Sequence, residues 1–292
     1  MNHDREIIMK YLVSLIILIL VGGSYGGYQY IAHKATQLPA ISPAQCEGLV
    51  NAGNKQLVVA LGDSITHAKV SADYVQLLDK QFNSQQLTFI NAGINSRLAF
   101  NALQVIDSVV ACNPSVVTIL IGTNDVLATA SNDRMNEYMD KWQLPQTPDF
   151  EFYKASVSQI IETLKTKTTA KIAIFSLPLI GETPDSKMNK TVAQYNGFIK
   201  EIAMQRDVTY LPLNERMWQY VNARDGLNGI CEDDAGLMEK AIAKHYLLGQ
   251  SWDEVSAQNN LHLLTDCVHL NDRGAKMVAE LAGDFIAASL AK

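Results

Sequence analysis

From residue 56 onward, short unbroken apolar runs alternate with longer stretches whose apolar residues recur every three or four positions. The runs "LVVAL" at 57–61, "LTFIN" at 87–91, "VVTILI" at 116–121, "KIAIFS" at 171–176 and "VTYLP" at 208–212 predict five strands. None of them alternates with polar residues, so each strand is expected to be buried on both faces, as in a parallel sheet covered by helices. The helical period predicts helices near 72–82, 97–111, 151–167 and 190–205, and a last one over 272–290. The expected fold is one three-layer α/β/α domain with a five-stranded parallel sheet, spanning residues 56–292. Segments 127–150, 178–190 and 223–262 follow strand ends, and the last contains the amphipathic pattern "AGLMEKAIAKHYLLGQSW".

The N-terminal part follows another pattern. After a short flank, residues 1–10, no Asp, Glu, Lys, Arg or His occurs from Tyr11 to Ala32, and Leu12–Val21 is almost wholly aliphatic. A helix of that kind can cross a bilayer, because it satisfies its own backbone groups. Residues 11–32 are therefore expected to be a transmembrane anchor. The competing readings are a cleaved signal segment, since small residues follow the apolar run, and a buried helix. Arg5 and Lys10 precede the segment, which favours a domain outside the cytoplasm, either membrane-anchored or, after cleavage, secreted. Residues 33–55, with two prolines and no sustained period, read as a tether.

Composition adds mainly exclusions. The chain has 292 residues, a net charge of −6 and no clustered Lys/Arg stripe, so nucleic acid is not expected as a partner. Cys46, Cys112, Cys231 and Cys267 lack C-x-x-C spacing, which argues against zinc. In an exported domain they form up to two disulfides, with three full pairings open, and buried free thiols are the alternative. "CEDD" at 231–234 reads as a solvated loop, so neither metal nor cofactor is expected.

Ligands of such sheets sit beyond the carboxyl ends of the strands. The first three strands end in "GDSIT", "NAGINS" and "GTND", all rich in small and hydrogen-bonding residues. Ser64, behind Gly62, is a candidate nucleophile that needs a base, a group to orient the base and donors for an oxyanion. Of six histidines, His269 is preferred, because Asp266 three residues earlier can hold its Nδ1 and leave Nε2 for the serine. His67, His245 and His262 are weaker candidates, and His3 and His33 flank the apolar segment. The Ser64 N–H, the backbone at Gly93 and the Asn124 side chain are candidate oxyanion donors. Asp63 is expected to hold its loop by side-chain to backbone bonds. "GGSYG" at 22–26 fits the nucleophile-elbow pattern G-x-S-x-G, but it closes the apolar segment rather than a strand.

"GDSIT", "NAGINS", "GTND" and "DCVHLN", in that order over residues 57–290, resemble the four blocks of the SGNH, or GDSL-type, esterase and lipase family. The resemblance implies a flavodoxin-like sheet. It also implies Ser64 as nucleophile, His269 as base, Asp266 as its orienter, and Ser64, Gly93 and Asn124 as the oxyanion hole. This chain departs from the family at Leu270, where many members carry proline, and at Cys267, where glycine is frequent and where a disulfide would stiffen the loop. The implied substrates are small acyl esters, lysolipids or acylated glycans. Trp142, Trp218 and Trp252 lie in or beside the insertions, either stacking on a sugar or anchoring each insertion on the core. The alternatives are an O-acyltransferase with the same residues and a non-catalytic binding domain. Oligomeric state is not legible.

Overall fold

Strands form where the apolar runs lie. They are β1 (Gln56–Gly62), β2 (Leu87–Gly93), β3 (Val116–Leu120), β4 (Lys171–Phe175) and β5 (Thr209–Leu211). The computed structural model describes residues 25–52, 56–82, 87–224, 231 and 235–291. Its helices, in chain order, begin with α1 (residues 25–36), α2 (Cys46–Ala52), α3 (Ser64–His67) and α4 (Tyr74–Phe82). Next come α5 (Ala99–Gln104), α6 (Ile106–Ala111), α7 (Thr123–Ala128), α8 (Asn132–Trp142) and α9 (Phe150–Lys167). The last five are α10 (Lys187–Gln205), α11 (Leu213–Asn222), α12 (Ala235–Leu248), α13 (Trp252–Gln258) and α14 (Asp272–Leu290).

All strand pairs are parallel, in the order β2-β1-β3-β4-β5. Successive strand residues point to opposite faces. Val59, Leu61, Ile90, Ile119 and Ile174 therefore join one core with α5, α6, α9 and α10. Val58, Ala60, Phe89, Leu120 and Phe175 join the other, with α4, α11, α13 and α14. Burial on both faces is the reason the strands read as unbroken apolar runs.

The strand order reverses between β1 and β3, the switch point where such sheets open a crevice. Register brings the strand ends level there, since Gly62 pairs with both Gly93 and Leu120. Two glycines then let α3 settle on the sheet. A Cβ on Gly62 would stand 2.1 Å from Thr66 Oγ1, and one on Gly93 would stand 2.2 Å from the His67 N.

Several elements differ from expectation. The predicted helix over 97–111 is two helices, because Val105 (φ −110°, ψ 9°) leaves helical geometry. The stretch read as a tether contains α2, and Cys46 within it is buried in a disulfide with Cys112. The Asn91 N–H donates to Ile41 O, so this stretch also covers part of the β2 edge. The second disulfide joins Cys231 to Cys267. The apolar run 12–21 and most of "GGSYG" lie outside the described residues. Among the described residues, no helix is long and apolar enough to cross a membrane.

Candidate active site

Ser64 opens α3 directly after β1. Asp63 caps that helix, its Oδ1 accepting the Ile65 N–H at 3.0 Å. As the first helical residue, Ser64 has an N–H without an intrahelical acceptor.

His269 and Asp266 stand in a tight loop closed by the antiparallel Leu264–Leu270 bridge, before α14. Asp266 Oδ1 accepts the Val268 and His269 N–H groups, both at 2.7 Å, which turns its Oδ2 onto His269 Nδ1 at 2.7 Å. His269 Nε2 then lies 2.9 Å from Ser64 Oγ, across 205 residues of sequence. All three side chains are buried, with Ser64 and His269 each 6 % exposed. Burial alone would lower the His269 pKa. The charge and hydrogen bond of Asp266, with Asp63 behind, outweigh it and hold the imidazole above its ordinary value. Burial opposes the Asp266 charge as well, yet His269 and the two backbone donors keep its pKa below the usual carboxylate value. An ionised carboxylate only accepts, so Nδ1 carries the proton and Nε2 faces the serine hydroxyl as an acceptor.

Asn124, near the start of α7, is fixed at both ends of its amide. The Tyr138 hydroxyl donates to Oδ1 at 2.7 Å, and Nδ2 donates one N–H to Arg97 O at 3.0 Å. An amide has two such protons, so one N–H remains for a ligand.

Gly93 has a different place from the one expected. Its N–H donates to Asn91 Oδ1 at 2.9 Å, and its missing side chain accommodates the α3 backbone. The turn after it is the more open part. Ser96 adopts φ 60°, and neither the Asn95 nor the Ser96 N–H has an acceptor among the described residues. Trp142 Nε1 donates to Ser96 O and Lys141 Nζ to Ser96 Oγ, each at 2.8 Å, so the end of α8 braces this turn.

His67 bonds through Nδ1 to Asn95 Oδ1 at 2.8 Å, and burial lowers its pKa. His245 stacks on Trp252 with ring centroids 3.9 Å apart, and the His262 N–H donates to Glu182. Trp252 is buried in the core and Trp218 packs against it, so both tie their segments to the domain. Among the described residues, no group of three or more His, Cys, Asp or Glu is placed to hold a metal ion.

Sequence reasoning missed four residues, one of which, Arg97, acts through its backbone carbonyl. Buried Glu182 accepts the N–H groups of His262, Leu263 and Leu264, fixing the approach to Asp266. Gly181 N–H adds a bond to Cys267 O, beside the Cys231–Cys267 disulfide. Tyr138 and Arg97 set Asn124, and Asn95 holds His67. No motif or period marks Glu182 or Tyr138. Both act through contacts 80 and 14 residues away along the chain. Arg97 is nearly buried beside Asp63. Burial pulls its pKa down to about 10 while Asp63 opposes the fall. Asp63 itself is pushed up to about 6 by burial, against the Ile65 N–H and the charges of His269 and Arg97.

The structure is a doubly wound α/β sheet that brings Ser64, Asp266 and His269, in that chain order, together beyond its strand ends. The chain belongs to the GDSL-like lipase/acylhydrolase family, whose model matches residues 60–277. Ester hydrolysis is the chemistry of that family. Among solved structures, the acetyl xylan esterase AlAXEase is similar at 20% identity (TM-score 0.54), over 79% of this chain and 99% of that one. Axe2, an acetylxylan esterase from Geobacillus stearothermophilus, is similar at 17% identity (TM-score 0.56), over 82% and 96%. LAE5, an α/β hydrolase from the metagenome of Lake Arreo, Spain, is similar at 16% identity (TM-score 0.54), over 80% and 94%. At these identities the likeness is one of fold. No curated protein matches the chain by sequence.

Proposed function

We propose that this protein hydrolyses carboxylic esters through an acyl-enzyme on Ser64, with His269 as general base and then acid, and Asp266 as its orienter. The observation that carries the reading is the continuous line of hydrogen bonds from Asp266 Oδ2 through His269 to Ser64 Oγ, at 2.7 and 2.9 Å. Ser64 Oγ attacks the ester carbonyl carbon as its proton passes to His269 Nε2. The resulting oxyanion is held by the Ser64 N–H, the free N–H of Asn124 Nδ2 and a backbone N–H of the turn after Gly93. The carbon–oxygen bond to the alcohol then breaks, and His269 returns the proton to the leaving oxygen. Water repeats the cycle against the acyl group and regenerates Ser64.

The test is covalent. A fluorophosphonate is expected to modify Ser64, located by mass spectrometry of the digested protein, and His269→Ala is expected to remain unlabelled although folded. A folded wild-type protein without label at Ser64 would overturn the mechanism and leave a binding domain. Products formed with an added sugar or lipid alcohol separate hydrolysis from acyl transfer. A panel of small acyl esters, lysolipids and acylated glycans assigns the substrate class.

The pH profile supplies a second expectation. His269 must be neutral to accept the serine proton, so kcat/KM falls with decreasing pH through its raised pKa, placing the acid limb above 6.5. Asp63→Asn keeps an oxygen to cap Ile65 but removes a negative charge that helps hold the imidazolium. The acid limb is expected to move to lower pH in this variant. A limb that stays in place would mean that Asp63 has no electrostatic part in the site.

We also propose that residues 11–32 anchor the chain in a membrane, with the domain outside the cytoplasm. The charge-free run and the two disulfides support this reading, because such bonds persist in oxidising compartments.

A further inference from the structure

Large apolar side chains left exposed are unevenly placed in this protein. Tyr25, Tyr28 and Tyr30 on α1, Leu38 just after it, and Leu247 and Leu248 at the end of α12 are all exposed, Leu248 to 70 %. These two stretches of sequence meet, since a Cβ on Gly27 would lie 4.0 Å from Leu247 Cδ1. The two adjoining stretches thus expose apolar side chains, which soluble surfaces avoid unless something covers such a face.

We propose that this face lies against a lipid bilayer and sets the catalytic domain down on the membrane surface. The inference rests on the membrane-anchored reading given above. The residues that lead into α1 argue for this occupant, because they are the charge-free stretch from Tyr11, with Leu12–Val21 almost wholly aliphatic. Tyrosine stands at one end of that stretch, Tyr11, and again towards its other end, at Tyr25, Tyr28 and Tyr30. Such residues favour the two interfaces of a bilayer, with the ring among the acyl chains and the hydroxyl in the headgroups. Lys34 follows on the same helix, its ammonium 5.7 Å from the Tyr30 ring centroid, as a cation suited to headgroup phosphates. Leu247 and Leu248 would enter the same plane from α12, which a lone anchoring segment would not require.

The face is also coupled to the site. Asn95 Nδ2 donates to Ala35 O on α1, while its Oδ1 accepts from His67, three residues after Ser64. From the α12 side, the Tyr246 hydroxyl donates to Lys69 O at 2.7 Å. Both halves of the face thus lean on the segment that carries the nucleophile, so docking would hold the Ser64 cleft at a set height above the membrane. Ester groups presented at a lipid surface are the substrates such a placement serves.

The decisive position is Leu248, far in sequence from the anchor. With all described cysteines in disulfides, a nitroxide on Leu248→Cys reports that position alone. The full chain would be reconstituted into vesicles of phosphatidylethanolamine and phosphatidylglycerol, with labelled Met204→Cys, also exposed, as the control. Collision with oxygen relative to a water-soluble nickel chelate is expected to be several-fold higher at 248 than at 204. Equal ratios, or protection of 248 from both reagents as at a protein–protein contact, would overturn the proposal. A chain that does not float with the vesicles would overturn the anchor reading and this one together. Hydrolysis of 4-nitrophenyl acetate, followed on the same samples, reports the catalytic reading separately.

Discussion

Ser64→Ala is expected to lower kcat for ester hydrolysis by about a million-fold, His269→Ala by about the same, and the double variant by no more than either alone. In the proposed mechanism serine and histidine act as one unit, since a hydroxyl without its base is not a nucleophile and a base without the hydroxyl has no proton to take. The aspartate is a separate case. Asp266 has two tasks in this loop: Oδ1 accepts the Val268 and His269 N–H groups, and Oδ2 fixes the imidazole. Asp266→Asn keeps an acceptor for the turn but places an amide against Nδ1. With the amide N–H facing the ring, Nδ1 must accept, which moves the ring proton to Nε2 and blocks the serine. A loss of about ten-thousand-fold in kcat is expected, with the fold retained. Asp266→Ala should unfold the loop as well, so the asparagine variant is the informative one. Steady-state kinetics with 4-nitrophenyl acetate, alongside thermal melting, checks the set. Losses that add in the double variant, or an asparagine variant within tenfold of wild type, would contradict this assignment of roles.

The second large effect concerns the oxyanion. Asn124→Ala is expected to lower kcat by about a hundred- to a thousand-fold while KM changes little, because the donor is used most in the transition state. Tyr138→Phe tests how that donor is aimed. Its hydroxyl holds Asn124 Oδ1, leaving Arg97 O as the other fixed partner of the amide. Without the hydroxyl the amide can rotate or flip, and a loss of roughly tenfold in kcat is expected from a side chain proposed to touch no substrate. The variant also leaves a buried acceptor unpaired, at a cost of about 1–3 kcal/mol in stability. A drop in melting temperature is therefore expected in either case. An unchanged kcat beside that drop would show that Arg97 O alone suffices to orient Asn124.

Much of this architecture could be read along the chain. Strands buried on two faces leave apolar runs that no other element imitates at that length, so all five strands were legible within a residue or two. Helices packed on one side, such as α9, α10 and α14, announced themselves by period. The short helices α8, α11 and α13 did not, because tertiary contacts and caps such as Ser131 and Ser251 hold them more than an apolar stripe does. The segment before β1 misled for a related reason, since Cys46 is fixed by a disulfide partner 66 residues away and not by any local pattern.

The candidate site divides in the same way. Ser64, Asn124, Asp266 and His269 were legible because each belongs to a short local constellation: a strand end, a helix start or a tight turn. The register of β1 with β3 levels the strand ends that carry Ser64 and Asn124, and packing of the loop before α14 brings His269 to Ser64 across 205 residues, which no local pattern encodes. Gly93 shows the limit best. Sequence marks a glycine where the backbone comes close, but only the packed chain reveals that its neighbour is the α3 backbone and that its N–H already serves Asn91. The supports Tyr138, Glu182 and Asn95 are likewise tertiary, since a hydrogen bond between distant segments constrains geometry without imposing a period. What the sequence determined alone was the layered α/β architecture and the candidates for the reacting groups. The distances among those groups, the partners of Asn124 and the meeting of α1 with α12 were decided by folding, because each depends on surfaces that exist only once the sheet has closed.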